Sequence, residues 1–241
     1  MVPPKTRSSG PVTTETTRDI FLFIPNLIGY SRVVLAMASI AVMRYHPKVC
    51  TWLYSVSCLL DAFDGAAARK YGQSTKFGAV LDMVTDRCTT SSLICFLCCA
   101  YPTYAIFFQF LVSLDLASHY MHMVAMLSTG AGSHKKVEKE SSRLLSLYYT
   151  NTRVLFVVCA ANELFFVALY LASFPLRSPP HLGYLFGIPL SYKTILAVTT
   201  FPIWFFKQVL NVIQMVRAAQ TLALFDIEER ARTGAATAKS K

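Results

Sequence analysis

Charge is scarce in this sequence. Only 15% of its 241 residues are Asp, Glu, Lys or Arg, where an ordinary soluble domain carries about 25%. Acidic side chains are the rarer kind, 13 against 23 basic ones. The seven cysteines are an odd number and lie mostly inside apolar runs. Cys95, Cys98 and Cys99 have no second Cys/His pair to complete a zinc site, and a disulfide framework is equally unsupported. The net charge of +10 comes without a recognised nucleic-acid motif, so no nucleic-acid partner is expected. No small-residue cleavage pattern follows "IFLFIPNLIGYSR", so no secretory signal is expected either. Internal repeats are absent.

What replaces the missing charge is apolar sequence, 54% of the chain, with a mean hydropathy of +0.44. A helix needs about 20 mostly apolar residues to cross a bilayer. Six stretches qualify, near 27–45, 50–71, 77–100, 104–128, 151–174 and 191–217. The expected class is therefore an all-α, multi-pass membrane protein with six transmembrane helices. Residues 1–18, rich in Pro, Thr, Ser and Gly, are expected to lack fixed structure. Residues 19–26 read as an interfacial segment that Pro25 separates from the first span. The membrane domain then covers 19–225, and 226–241 reads as a polar, frayed cytosolic tail. Most Lys and Arg fall on one side of this topology, in both termini, beside Lys70 and Lys76, and in the loop of Lys135, Lys136, Lys139 and Arg143. The positive-inside rule places that side in the cytosol.

Against this background, residues 61–86 hold four of the thirteen acidic side chains. At about 100° per residue, Asp61 and Asp64 share one helical face with Gly65 and Ala68, flanked by Arg69. Gly78, Asp82 and Asp86 recur every fourth residue and form a single stripe on the next helix. The short "KYGQSTK" connection makes the two helices antiparallel neighbours, so both stripes face one place at the cytosolic edge. Four close carboxylates repel one another and are costly to desolvate. They suit hard divalent cations, and four could hold two ions about 3.5–4 Å apart, an arrangement used for in-line displacement at phosphorus. Small residues on the acidic face leave room for phosphate, with Arg69, Thr75 and Lys76 at hand. The plainer possibility is that the aspartates form ion pairs with Arg69, Arg87 or other basic residues.

The string Asp61-x-x-Asp64-Gly65-x-x-Ala68-Arg69, eight residues, then Gly78-x-x-x-Asp82-x-x-x-Asp86 resembles the complete signature of the CDP-alcohol phosphatidyltransferases. The stretches "FLFIPNLIGYSRVVLA", "SLDLASHYMHM", "SHK" and "NELFF" are similar to those of the inositol branch of that family, the eukaryotic phosphatidylinositol synthases. The resemblance implies a six-helix CDP-alcohol phosphotransferase fold, a homodimer and an endoplasmic-reticulum membrane location. It implies CDP-diacylglycerol and myo-inositol as substrates, CMP as a product, and two Mg²⁺ or Mn²⁺ ions. It further implies that Asp61, Asp64, Asp82 and Asp86 bind metal and that Asp86 is also the general base. Gly65, Arg69 and Thr75 would contact the CDP-diacylglycerol headgroup.

Polar residues elsewhere in the spans leave two readings each. Asp115, His119 and His122 share a helical face and either line an inositol pocket or form an interhelical network. Asn162 and Glu163 pose the same choice, with Lys207 a candidate partner for Glu163. Lys135 and Arg153 lie on the site's side of the membrane as candidate inositol or phosphate contacts. Two other functions remain open: a related transferase with a glycerol phosphate or serine acceptor, and a divalent-cation transporter whose carboxylates would sit near the bilayer midplane.

Overall fold

Apolar runs too long for a soluble core fold here into helices that pack only partly against one another. The computed structural model describes residues 16–129, 151–174, 184–185, 188–189 and 191–239. A short α1 (Thr17–Phe21) precedes six long helices: α2 (Ile24–Val42), α3 (Pro47–Tyr71), α4 (Lys76–Ala100), α5 (Ala105–Thr129), α6 (Thr152–Ala172) and α7 (Tyr192–Lys239). A 3₁₀ turn (Pro102–Tyr104) leads into α5, and β1 (Tyr184–Leu185) pairs antiparallel with β2 (Ile188–Pro189) before α7.

Four of the helices are long and apolar enough to cross a membrane: Ile24–Val42, Pro102–Ser128, Arg153–Ala172 and Tyr192–Thr233. The two outside this group, α3 and α4, are also 25 residues long but carry the aspartates and their basic neighbours. The outward surface is apolar, with Val34, Met37, Trp52, Ile106 and Phe110 all strongly exposed.

Two expectations need correcting. Pro25 does not separate a segment from the first span but sits in the first turn of α2, where its missing N–H costs nothing and its fixed φ suits a helix start. The break falls one turn earlier, and α1 is held by a reciprocal capping box between Thr16 and Asp19. The polar tail is not frayed, because α7 runs on to Lys239. At 1.5 Å per residue, its 48 residues extend about 72 Å, well past a hydrocarbon core of about 30 Å. All seven cysteines are free.

The apolar core gathers at one end of the bundle. It unites Met43, Cys50, Tyr54, Leu93, Ile94, Leu97 and Phe108 with Phe165, Phe166, Tyr170 and Trp204. The Phe165 and Trp204 rings stack at 4.5 Å, and the Tyr170 hydroxyl donates to the Met43 carbonyl at 2.6 Å. These residues lie just past the end of α2, in the C-terminal halves of α4 and α6, and in the N-terminal halves of α3, α5 and α7. The opposite ends of α2, α3 and α4 are left for polar side chains.

Candidate active site

The turn between α3 and α4 creates the site. Gly72 ends α3 with φ +64°, the left-handed conformation that Gly adopts without a Cβ penalty. Thr75 then caps α4, its Oγ1 accepting from the Gly78 N–H at 3.0 Å. Gln73, between them, accepts the Ile24 N–H through Oε1 at 3.1 Å and ties the start of α2 to this turn. Close approach does the rest. A Cβ on Gly29 would stand 2.9 Å from Leu81 Cδ2, and one on Gly78 would stand 2.8 Å from Asn26 Oδ1. Gly78 thus admits Asn26 of α2 at close range.

Asp61, Asp64, Asp82 and Asp86 do converge, as their spacing predicts. Carboxylate oxygens of Asp61, Asp64 and Asp82 all lie within 4.8 Å of one another. Hard oxygen donors at this separation fit a divalent cation such as Mg²⁺ or Mn²⁺. Asp86 stands outside that triplet.

The organising residue of the cluster is Arg32, which sequence reasoning missed. Its side chain is 1% exposed, and its guanidinium meets all four aspartates. Nη1 donates to Asp64 and Asp82 at 2.6 Å each, and Nη2 lies 2.9 Å from Asp61 and also donates to Asp86. Its backbone carbonyl accepts from Ser57 of α3 at 3.0 Å. The available signal was that Arg32 is the sole charged residue between 24 and 42, and ionisable groups inside apolar spans mark function.

The ion-pair reading therefore holds in part, through Arg32 and Arg87. Arg87 Nη1 donates to both carboxylate oxygens of Asp115 on α5, at 2.7 and 2.8 Å, and Nη2 reaches Asp86 at 3.4 Å. Each oxygen of Asp86 thus faces a different arginine. Five carboxylates share these two guanidiniums, so the cluster keeps an excess of negative charge for a cation to balance.

The remaining candidates separate. Gly65 and Arg69 are neighbours, since a Cβ on Gly65 would sit 3.5 Å from Arg69 Nη1. Arg69 is exposed and in no ion pair among the described residues. His119 belongs to the interhelical network: Nδ1 meets the Asp115 carbonyl at 2.8 Å, while Asp115 holds Arg87. Arg153 is exposed at the start of α6, and Lys135 lies outside the described residues. Lys207 Nζ donates to Asn211 at 2.7 Å. The Glu163 carboxylate accepts from Tyr54, from Thr90 at 3.1 Å and from Asn162 at 3.1 Å.

The profile of the CDP-alcohol phosphatidyltransferase family matches residues 22–225. A Schizosaccharomyces pombe protein named CDP-diacylglycerol–inositol 3-phosphatidyltransferase is 58% identical over 221 residues, covering 88% of this chain and 93% of its own. Proteins of the same name from Candida albicans and Homo sapiens are 52% and 43% identical. They align with 90% and 89% of this chain, and with 89% and 97% of their own lengths. No solved structure matches the chain. On the family match and these relatives, the chain belongs to the CDP-alcohol phosphatidyltransferase family.

Proposed function

We propose that this protein transfers the phosphatidyl group from CDP-diacylglycerol to myo-inositol and releases CMP. The observation that carries the reading is the meeting of Asp61, Asp64, Asp82 and Asp86 at one end of the helix bundle. The name shared by its relatives supports inositol as the acceptor.

Asp61, Asp64 and Asp82 would hold a divalent ion, Mg²⁺ or Mn²⁺, and a second would engage Asp86. Such ions, when bound, withdraw negative charge from phosphoryl oxygens. The protein's own residues do the rest. Asp86 takes the proton of an inositol hydroxyl as that oxygen bonds to the phosphorus bearing diacylglycerol. The bond from this phosphorus to the bridging oxygen breaks, and CMP leaves with that oxygen. Arg32 and Arg87 hold the Asp86 carboxylate in place. Arg69 is exposed beside Gly65 and offers a guanidinium to the headgroup phosphates, while Thr75 caps the start of α4.

The reading extends to six membrane spans formed by α2–α7, with the charged ends of α3 and α4 exposed at the cytosolic edge. Both termini and the site would face the cytosol, where basic loop residues accumulate. An endoplasmic-reticulum location and a homodimer complete it, by resemblance to the inositol branch of the family.

The test is CMP release from CDP-diacylglycerol by purified protein with myo-inositol, serine or glycerol 3-phosphate. Strict dependence on myo-inositol is expected, and turnover with another acceptor instead would overturn the assignment.

A further inference from the structure

Beside the aspartate cluster a cavity of about 280 Å³ opens between α3, α4 and α6. Asp61, Asp86, Arg32 and Arg87 line one part of its wall, and Tyr54, Thr90, Asn162 and Glu163 another. At about 30 Å³ per water, it holds a volume of roughly nine waters. A ring of six hydroxylated carbons fits this space, whereas a diacyl lipid does not.

The polar wall is a fixed array. Glu163 accepts from the Tyr54 hydroxyl through Oε2, and from Thr90 Oγ1 and Asn162 Nδ2 through Oε1. Asn162 is itself held from α7, its Oδ1 accepting from Gln208 Nε2 at 3.0 Å. A carboxylate offers about four acceptor positions, and each hydroxyl oxygen keeps lone pairs after donating. Glu163, Tyr54 and Thr90 therefore present acceptors that polyol hydroxyls can donate to.

Charge decides which acceptor class suits the cavity. Arg32 is shared among four aspartates, Arg87 bonds Asp115 and Asp86, and Lys207 bonds Asn211. The wall adds the carboxylates of Asp61, Asp86 and Glu163. A phosphate or carboxylate on the acceptor would meet three anions and, among the described residues, only cations already engaged. The ammonium of serine could meet Glu163, but its carboxylate faces the same deficit. An uncharged polyol has neither problem, and its hydroxyls match acceptors that a purely apolar pocket would not provide.

We propose that this cavity binds the acceptor alcohol and that Glu163, oriented by Tyr54, Thr90 and Asn162, is the residue that recognises the hydroxyls of a neutral polyol. This rests on the phosphatidyl-transfer reading and adds the acceptor's place to it. One hydroxyl of the bound ring then points toward Asp86, and the others toward Glu163.

The test uses the full chain purified in detergent, with steady-state kinetics and equilibrium binding of radiolabelled myo-inositol. Glu163→Gln keeps the shape of the side chain and removes one acceptor oxygen and its charge. It should raise the KM for myo-inositol tenfold or more, with the KM for CDP-diacylglycerol within about twofold of the parent. Thr90→Val should shift the same constant in the same direction and serves where Glu163→Gln fails to fold. Loss of direct inositol binding in either folded variant supports the assignment. Unchanged inositol binding and KM in the folded variants would overturn it while leaving the phosphatidyl-transfer reading intact. A parent protein that releases no CMP with myo-inositol but does so with serine or glycerol 3-phosphate would overturn both.

Discussion

Arg32 Nη1 donates to Asp64 Oδ2 across 2.6 Å, and the two side chains are 1% and 11% exposed. Removing one partner of such a buried pair leaves an uncompensated charge and costs about 3–5 kcal/mol. Arg32→Met should therefore lower the thermal midpoint of the detergent-solubilised protein in chelator. Added Mg²⁺ should recover more stability in this variant than in the parent, because the ion then replaces a missing positive charge. Equal midpoints for variant and parent in chelator would show that Arg32 does not hold the cluster together.

Asp86 differs from the other three aspartates in its surroundings. It lies outside the close triplet, lines the cavity, and has each oxygen directed by a separate arginine. Asp86→Asn should lower turnover by about 10²–10⁴, the usual contribution of a positioned general base. CMP binding, followed by quenching of intrinsic fluorescence, should change only slightly. Near-normal CMP release by the variant would remove Asp86 from the base role.

Much of this arrangement was legible in the sequence because it is periodic. Apolar runs gave the six long helices, and spacings of three and four directed Asp61, Asp64, Asp82 and Asp86 to one place. Arg32 was not legible by the same logic. Its hydrogen-bonded partners Asp64, Asp82 and Asp86 lie 32, 50 and 54 residues away, and Asp61 is on another helix too, so no local period connects them. Pro25 was read as a break, although a proline tolerated only in the first turn starts a helix as well as it ends one. Asn162 and Glu163 announced themselves as polar residues in a span, but their partners Tyr54, Thr90 and Gln208 come from three other helices. Packing supplied those pairings, and α7 outran its expected end because a polar sequence can remain helical outside an apolar span.

The two glycines of the signature should respond differently to the same change. A Cβ at Gly78 would lie 2.8 Å from Asn26 Oδ1 and 3.2 Å from Thr75 Oγ1. Asn26 is buried and cannot withdraw freely, since its Nδ2 bonds the Ile20 carbonyl at 2.5 Å. Overpacking of this kind costs about 1–3 kcal/mol, so Gly78→Ala should lower the thermal midpoint. At Gly65 the Cβ meets only the mobile end of Arg69 at 3.5 Å, an ordinary contact. Gly65→Ala should leave stability within about 0.5 kcal/mol while raising the KM for CDP-diacylglycerol. A Gly65→Ala protein with parental kinetics would separate Gly65 from headgroup binding.

Metal dependence is expected from a charge imbalance that the described residues do not correct by themselves. Asp61, Asp64, Asp82, Asp86 and Asp115 share Arg32 and Arg87. Repulsion among the carboxylates near Arg32 favours any divalent cation that reaches them, and removing one carboxylate weakens both the repulsion and the binding. EDTA should abolish CMP release, and Mg²⁺ or Mn²⁺ should restore it. Asp61→Asn and Asp82→Asn should require at least tenfold more metal for half-maximal activity and bind Mn²⁺ correspondingly less tightly in paramagnetic titration. The Mn²⁺ titration reports the ion independently of turnover, so a catalytic defect alone cannot imitate this result. Activity that persists in chelator, or undiminished Mn²⁺ binding in both variants, would rule out these carboxylates as the metal site.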